Sequence, residues 1–340
     1  MQYIFKLHDI LNYVNIITYT KGGTIKLKQI ALKDKKSIYT LGLILIAIIW
    51  GFAFIAIKFT VGSIPPFYTI GFRFSIASLV LILLYLKNLK NITKEELIAG
   101  IILGICAYIG YLAQNIGLEF TTASNSSFLS VTDVVMVPFL YWAINKTRPD
   151  IYQILAGIIV MIGVGLLSLT SDFTIGFGDL ITLLAAFGFS MHMIFIDKYT
   201  EKFNVMTLVV VQITTCAILG LITAFIKEGV YDFSRLNRLS IFGILFLGII
   251  STLITLSLQN ICQKYVKPVN ASLILSSQTI FATFFAITIL KETLTLKMCF
   301  GCLLILAGII ICQTKPNLFK CIGYLTKKEV DYGNWTKNND

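Results

Sequence analysis

The sequence predicts an all-α integral membrane protein with ten transmembrane helices, arranged as two inverted repeats of five helices each. Hydrophobic residues make up 56% of the 340 positions and charged residues only 13%, a balance outside the range of soluble globular domains. The apolar residues form about ten runs of roughly twenty residues, the length that spans a bilayer. A segment of the first half also recurs in the second half, which indicates a duplication.

Residues 1–38 precede the apolar runs and carry seven lysines. Lys6, His8 and Asp9 interrupt the apolar core that a secretory signal needs, so we interpret this segment as a cytoplasmic arm. Apolar residues recur there at helical spacing and allow a short helix on the membrane surface, although a disordered arm fits equally well. These residues are Leu7, Ile10, Leu11 and Val14.

The apolar runs divide into two groups of five. The first group, at residues 39–61, 66–86, 97–118, 124–144 and 150–170, forms the first repeat over residues 39–170. The second group, at residues 178–197, 204–226, 239–262, 268–290 and 295–313, forms the second repeat over residues 178–314. Residues 315–340 are polar and form a cytoplasmic tail.

Lysine and arginine are distributed unevenly between alternate links. With the N-terminus inside, 21 of the 28 lie in inner segments and 6 in outer links, while Arg73 is intramembrane. This bias predicts that both termini are cytoplasmic, and it explains the basic charge without nucleic acid. Because each repeat has an odd number of spans, the second repeat enters from the opposite side. The abundance of Lys, Ile and Asn indicates an AT-rich microbial genome. We predict a multi-pass protein of the bacterial plasma membrane.

The duplicated segment runs from Gln114 to Lys146, and its copy begins at Gln259. Without gaps, an offset of 145 positions sets several polar residues of the two copies against each other. The pairs are Gln114 with Gln259, Asn115 with Asn260, Asn125 with Asn270, and Asp133 with Gln278. For the first span of each repeat, Trp50 is set against Phe189.

Asp133 and Gln278 fall halfway along apolar runs, where unpaired polar groups are most unfavourable. Asp133 could bind a proton or a cationic group, or it could form a buried ion pair with Arg73 that only holds helices together. Gln278 could present its amide to the same cavity or hydrogen-bond to a neighbouring helix. Arg73 could clamp a carboxylate, pair with Asp133, or extend its guanidinium to the membrane surface.

Further candidates lie on other spans. Tyr111 and Gln114 share one face of the third span, and Gln259 and Gln263 share one face of the eighth. Both faces could line a polar cavity or join neighbouring helices. The ring of Trp50 could stack on a substrate or simply pack. His192 could titrate near neutral pH, or it could be a buried, neutral hydrogen-bonding residue.

Enzyme-like patterns are weak. His192 and Asp197 have the spacing of a lipid acyltransferase motif, but five residues on an α-helix turn the two side chains far apart. Cys299 and Cys302 form an isolated pair without the further ligands that a metal site needs. We therefore predict a protein that is not an enzyme, with no cofactor and no metal.

Residues spread over positions 39–314 match a known family pattern. They include Trp50, Gly51, Phe54, Lys58, Pro65, Pro66, Arg73, Phe74, Gln114, Gly117, Asn125, Pro138, Gly178, Asp179, Gln259, Lys264, Tyr265, Lys291 and Glu292. On these residues the chain resembles the drug/metabolite transporter superfamily, specifically its EamA-type ten-helix permeases. It departs from that pattern at Asn145-Lys146 and at Gln278-Thr279.

The resemblance implies a carrier for small metabolites, amino acids among them, with a central cavity between the repeats. The expected partners are a small-molecule substrate, a coupling proton or ion, and the lipid bilayer, and the chain is expected to be a monomer or a homodimer. Two alternatives remain open. One is a membrane-embedded lipid-modifying enzyme, and the other is a structural subunit whose polar helix faces point outward to a partner.

Overall fold

The structure, a computed structural model, describes residues 13–19, 25–31, 35–60, 62–120, 129–168, 177–289 and 296–314. Within these ranges it contains ten helices that pack into one bundle. The first five are α1 (Lys35–Thr60), α2 (Pro66–Leu89), α3 (Lys94–Phe120), α4 (Asp133–Asn145) and α5 (Ile151–Ser168). The other five are α6 (Phe177–Thr200), α7 (Val205–Glu228), α8 (Arg238–Gln263), α9 (Pro268–Ile289) and α10 (Leu296–Thr314).

Seven of the described helices are long and apolar enough to cross a membrane, and α4, α5 and α10 are shorter apolar helices. Large apolar side chains face outward from the bundle, as Leu83 and Ile226 do with exposed fractions of 69% and 70%. Such surfaces are unusual for a soluble monomer and are typical of contact with lipid. The predicted fold class is confirmed: the chain is an integral membrane protein whose membrane bundle is all-helical.

The two halves are inverted relative to each other. The equivalent helices α2 and α7 pack antiparallel: Glu228, at the end of α7, accepts hydrogen bonds from the backbone amides of Phe67 and Tyr68, at the start of α2. At the opposite end, Tyr85 contacts Asn204 at the start of α7. Because the second helix of one half runs against the second helix of the other, the five-helix units have opposite orientations.

The packing of α5 on α10 has the same symmetry. A Cβ atom on Gly163 would lie 2.8 Å from the backbone oxygen of Gly301, and one on Gly308 would lie 3.0 Å from that of Ala156. Gly163 and Gly308 are 145 positions apart, and so are Ala156 and Gly301. The sequence offset therefore describes a two-fold relation in the structure, and small residues allow the close approach.

We call the end of the bundle where α1 begins and α10 ends the inner end, and the opposite end the outer end. The link between α8 and α9 lies at the inner end, and the link between α1 and α2 lies at the outer end. Two local features define helix starts: Asn204 caps α7 at the inner end, and Asn237 and Ser240 form a capping box at the start of α8 at the outer end.

Glycines in α3 allow close contact with α7, and substitution of Gly104 tests this packing. We expect Gly104→Ala to lower the thermal stability of the purified protein, because the new Cβ would lie 2.8 Å from the Gln212 backbone oxygen. Overpacking of this kind destabilises by about 1–3 kcal/mol. Gly157→Ala in α5 is the matched control, since its Cβ would meet nothing closer than 3.7 Å. Equal stability of the two variants would contradict this account.

The N-terminal arm contains an antiparallel hairpin, β1 (Tyr13–Tyr19) and β2 (Ile25–Ala31). The alternative of a short surface helix was wrong at Val14, which pairs with Ile30 in the hairpin. The other residues on which that helix depended, Leu7, Ile10 and Leu11, lie outside the described residues. Alternating apolar and polar residues in β2 fit a strand better than a helix.

Candidate functional site

The two halves enclose a central cavity between α1, α2, α3, α4, α6, α8 and α9. It offers about 60 Å³ to the centres of water molecules, which is room for roughly four to six waters at about 10–15 Å³ each. The volume suits the head group of a small solute. Its lining includes six of the nine residues predicted from the sequence, namely Trp50, Arg73, Tyr111, Gln114, Asp133 and Gln278.

Asp133 and Gln278 reach the cavity because both lie at breaks in their helices. A turn at Val131 and Thr132 separates the helical residues Leu129 and Ser130 from Asp133, the first residue of α4. In α9, a turn at 276–277 separates Pro268–Leu275 from Gln278–Ile289. The two breaks are 145 positions apart. Broken helices at membrane depth are typical of transporter binding sites, because irregular backbone is tolerated where it lines a cavity.

Arg73 is a buried cation, with only 3% of its surface exposed. Its Nε donates to Thr252 Oγ1 at 2.9 Å, and its Nη2 lies 3.4 Å from both the carbonyl and the hydroxyl oxygen of Ser251. The guanidinium carbon also lies 4.7 Å from the ring centroid of Tyr111, a cation–π contact. Arg73 therefore does not extend to the membrane surface.

Within the described residues, no ion pair shorter than 4.0 Å joins Arg73 to Asp133. The interpretation of these two residues as a purely structural ion pair does not fit this conformation. Among the described residues, all the partners that Arg73 contacts are neutral. An anionic partner strongly stabilises a buried guanidinium. The cavity therefore presents one cationic group, Arg73, and one acidic group, Asp133, and each can bind a ligand atom.

A π-helical segment in α8, Phe246–Ile254, contains Ser251 and Thr252. Both bind the Arg73 guanidinium, and the Ser251 carbonyl oxygen also lies near Trp50. Trp50 Nε1 lies 3.0 Å from Thr255 Oγ1 and 3.3 Å from the Ser251 carbonyl oxygen. Wide π turns of this kind are found frequently at functional sites. Because the indole N–H is bound to α8, Trp50 can offer only its ring to a ligand.

Gln114 and Tyr111 form the α3 side of the cavity. Gln114 Nε2 donates to the Ser130 hydroxyl at 3.3 Å, which ties α3 to the break before α4. The Tyr111 ring packs edge-on against Phe74 and Phe189. These contacts position the polar groups around Asp133.

A second, larger cavity lies at the outer end, with about 510 Å³ for the centres of water molecules. Ile57 lines both cavities, so they adjoin. The outer cavity is formed by the α1–α2 link with Asn115 and Arg235. The two cavities therefore lie next to each other, one at the centre and one at the outer end of the bundle.

The inner end is closed by contacts between the two halves and within the second half. The rings of Tyr39 and Tyr265 stack with centroids 4.1 Å apart. Lys267 Nζ lies 3.3 Å from Asp197 and 3.2 Å from Glu201, and the Tyr141 hydroxyl donates to Asp197 at 3.0 Å. Partial burial lowers the pKa of Lys267, but the attraction of Asp197 and Glu201 outweighs it and raises the pKa above its ordinary value. Lys267 therefore stays charged at neutral pH.

Three predicted lining residues lie away from the cavity in this conformation. His192 is buried, with its Nε2 2.8 Å from the Gln212 amide oxygen. Gln259 and Gln263 are buried in the inner half of α8. They lie apart from the cavity because this half of α8 packs against α1, α6 and α7, where the bundle is closed.

Sequence reasoning missed other lining residues: Ala53, Ile57, Ser130 and Ser251. The first two follow Trp50 at helical spacing and could have been found from that residue. Ser251 could not have been found from the sequence, because no sequence signal predicts the π-helical segment. In the described part of the chain, no group of three or more His, Cys, Asp or Glu side chains is placed to hold a metal ion.

Comparisons with known proteins agree with this architecture. The model of the EamA-like transporter family matches residues 37–169 and again residues 176–313. An uncharacterized transporter of Archaeoglobus fulgidus is 32% identical over 297 residues, which cover 87% of this chain and 92% of the relative. The uncharacterized transporter YoaV of Bacillus subtilis is 26% identical over 279 residues, covering 79% and 94%. One crystal structure superposes with a TM-score of 0.71 at 14% identity, covering 83% of this chain and 99% of that one, and shares the fold.

Proposed function

Because the chain belongs to the EamA-like transporter family, we propose that it is a secondary carrier for a small zwitterionic metabolite of the amino-acid class. The family resemblance predicted from single residues is confirmed, and the protein is a membrane transporter. The proposal adds the substrate class, an alternating-access mechanism, and a location in the bacterial plasma membrane with both termini in the cytoplasm.

The observation that carries the substrate class is the presence of Arg73 and Asp133 on one cavity without an ion pair between them. A substrate carboxylate can accept hydrogen bonds from the Arg73 guanidinium, which has the planar geometry for two parallel bonds. A substrate ammonium can donate to the Asp133 carboxylate. A zwitterion supplies both charges and leaves the cavity neutral, whereas an anion or a cation alone leaves one buried charge unmatched.

The remaining lining favours a side chain of mixed character. Trp50 and Phe189 contribute aromatic rings, while Gln114 and Gln278 contribute amides. Uncharged amides hydrogen-bond polar substrate atoms without adding charge. Asp133 is also able to carry a proton, so the same residue can recognise substrate and couple transport to a proton gradient.

Alternating access is supported by the inverted halves and by the distribution of open space. The cavities lie at the centre and at the outer end, while aromatic and ionic contacts close the inner end. Inverted repeats can exchange conformations, which opens the opposite end around a fixed site.

The two alternatives from the sequence are less well supported. A structural subunit would direct the polar faces of α3 and α8 outward, but Gln114 lines the cavity and Gln259 is buried. A lipid-modifying enzyme would need reactive groups near the head-group interface, whereas Asp133 lies at the central break of α4.

A flux assay tests the proposal. The protein in proteoliposomes is supplied with labelled amino acids, with the amines made by removing the carboxylate, and with the acids made by removing the ammonium, with and without a pH gradient. We expect saturable flux of at least one amino acid and at least tenfold slower flux of both matched analogues. Empty liposomes give the background. Equal flux of an amine or an acid and its parent amino acid would refute zwitterion recognition.

A further inference from the structure

The inner half of α8 buries three amide side chains that lack complete hydrogen bonding. We call Gln259, Asn260 and Gln263 the inner amide cluster, and their exposed fractions are 2%, 0% and 0%. Within the described residues, Gln259 Oε1, Asn260 Oδ1 and both amide atoms of Gln263 have no hydrogen-bond partner. An unpaired buried polar group is unfavourable because it has lost its hydrogen bonds to water without gaining others. Each such group calls for an explanation, such as an ordered water or a functional role.

The repeat relation indicates which conformation that is. With the offset of 145 positions, Gln259 corresponds to Gln114 and Asn260 corresponds to Asn115. Gln114 lines the central cavity, and Asn115 lines the outer cavity. The same residue pair therefore borders open space in the first half and is buried in the second.

The correspondence holds in three dimensions as well as in the sequence. Gly110 of α3 packs against Phe189 of α6. The equivalents of these residues, Thr255 of α8 and Trp50 of α1, are joined by a hydrogen bond. The inner half of α8 is thus the counterpart of the outer half of α3, viewed from the opposite end of the bundle.

His192 on α6 is likewise a buried residue whose counterpart in the first half lines a cavity. It corresponds to Ala53, which lines the central cavity, by the alignment that sets Trp50 against Phe189. His192 is bonded to Gln212, whose Nε2 is buried without a partner among the described residues. Unmatched polar atoms therefore occur on α7 as well as on α8, beside the closed inner end.

We propose that the inner amide cluster, together with His192, lines the inward-facing half of the substrate pathway. Water and polar substrate atoms bind to these amides when the contacts of Lys267 with Asp197 and Glu201 open. This inference rests on the proposed alternating-access function, and it assigns to a second conformation the three predicted residues that the central cavity leaves out.

Cysteine accessibility in nanodiscs tests this assignment. Asn260→Cys and Gln263→Cys are made separately, with and without Lys267→Ala, and thiol labelling by a charged methanethiosulfonate is followed by peptide mass spectrometry. We expect labelling of both cysteines to be at least tenfold faster with Lys267→Ala. Asn115→Cys is the matched reporter at the outer end, and its labelling should slow in the same background because the outer cavity closes.

Two results separate the failures. In the first, Lys267→Ala slows the labelling of Asn115→Cys while Asn260→Cys and Gln263→Cys stay unlabelled. The carrier then alternates but its inner path lies elsewhere, which overturns the inference. In the second, the labelling rate of Asn115→Cys does not change and the inner cysteines stay unlabelled. That result contradicts the proposed alternating access itself. Native Cys216, buried in α7, must stay unlabelled throughout, since its labelling would indicate general unfolding and count against the inference.

A second measurement tests the inference without the inner cysteine substitutions, in case those variants do not fold. Hydroxyl-radical oxidation of His192 in the otherwise unmodified chain is compared with and without Lys267→Ala. We expect a severalfold increase in oxidation of His192 and no increase for Cys216. Unchanged oxidation of His192 would overturn the inference if Lys267→Ala slows the labelling of Asn115→Cys in the first experiment.

Discussion

Asp133→Asn is expected to stop amino-acid flux while leaving the protein inserted and folded. The substitution keeps the size of the side chain but removes the negative charge and the site for a proton. Truncating one partner of a buried, hydrogen-bonded charge pair weakens binding by about 2–5 kcal/mol, which corresponds to a roughly 30- to 4,000-fold loss of affinity. Initial rates of labelled amino-acid uptake in proteoliposomes measure the effect.

A selective loss would identify the role of Asp133. The deaminated analogue carries no ammonium, so Asp133→Asn should not weaken its binding, and loss of the unmatched carboxylate should strengthen it, as measured by ligand-dependent thermal shifts. Asp232→Asn is the control, because this carboxylate lies in an exposed turn at the outer end with 59% of its side chain accessible. Unchanged amino-acid flux in Asp133→Asn would remove Asp133 from the mechanism.

Much of the fold could be predicted from the sequence because the membrane imposes strong local rules. Span length and lysine bias depend on the composition of each segment alone. The 145-residue offset further predicted that Asp133 and Gln278 are equivalent, and the structure places both directly after helix breaks. The breaks themselves were not predicted, because Val131 and Thr132 carry no strong signal for a turn.

Contacts between distant helices account for what the sequence did not predict. The π-helical segment of α8 depends on how Ser251 and Thr252 meet Arg73, which lies 178 or more positions away in the chain. Similarly, local patterns identified Gln259, Gln263 and His192 as polar residues in apolar spans, but not which end of the bundle is open. The sequence of an inverted repeat is compatible with two conformations, and only the structure shows which of them is adopted.

The lining of the central cavity also explains why Arg73 is the more informative target for substrate class. Its neighbours are the neutral groups of Thr252, Ser251 and Tyr111, so its charge has no carboxylate partner within the described residues. We expect Arg73→Gln to weaken amino-acid binding roughly 30- to 4,000-fold and not to weaken binding of the decarboxylated amine, which no longer shares the cavity with an unmatched cation. Competition between labelled amino acid and unlabelled amine in proteoliposomes gives both affinities.

Arg73→Lys separates charge from geometry at the same site. Lysine keeps the positive charge but loses the planar fork and the stacking on Tyr111, so its affinity for the amino acid should lie between those of the wild type and Arg73→Gln. Arg235→Gln is the control, because this guanidinium borders the outer cavity with 66% of its side chain exposed, where charges are screened by solvent. An equal loss for Arg235→Gln would indicate long-range attraction of the substrate, and an equal loss of amine binding in Arg73→Gln would indicate a structural role. Retained amine binding combined with lost amino-acid binding would assign the substrate carboxylate to Arg73.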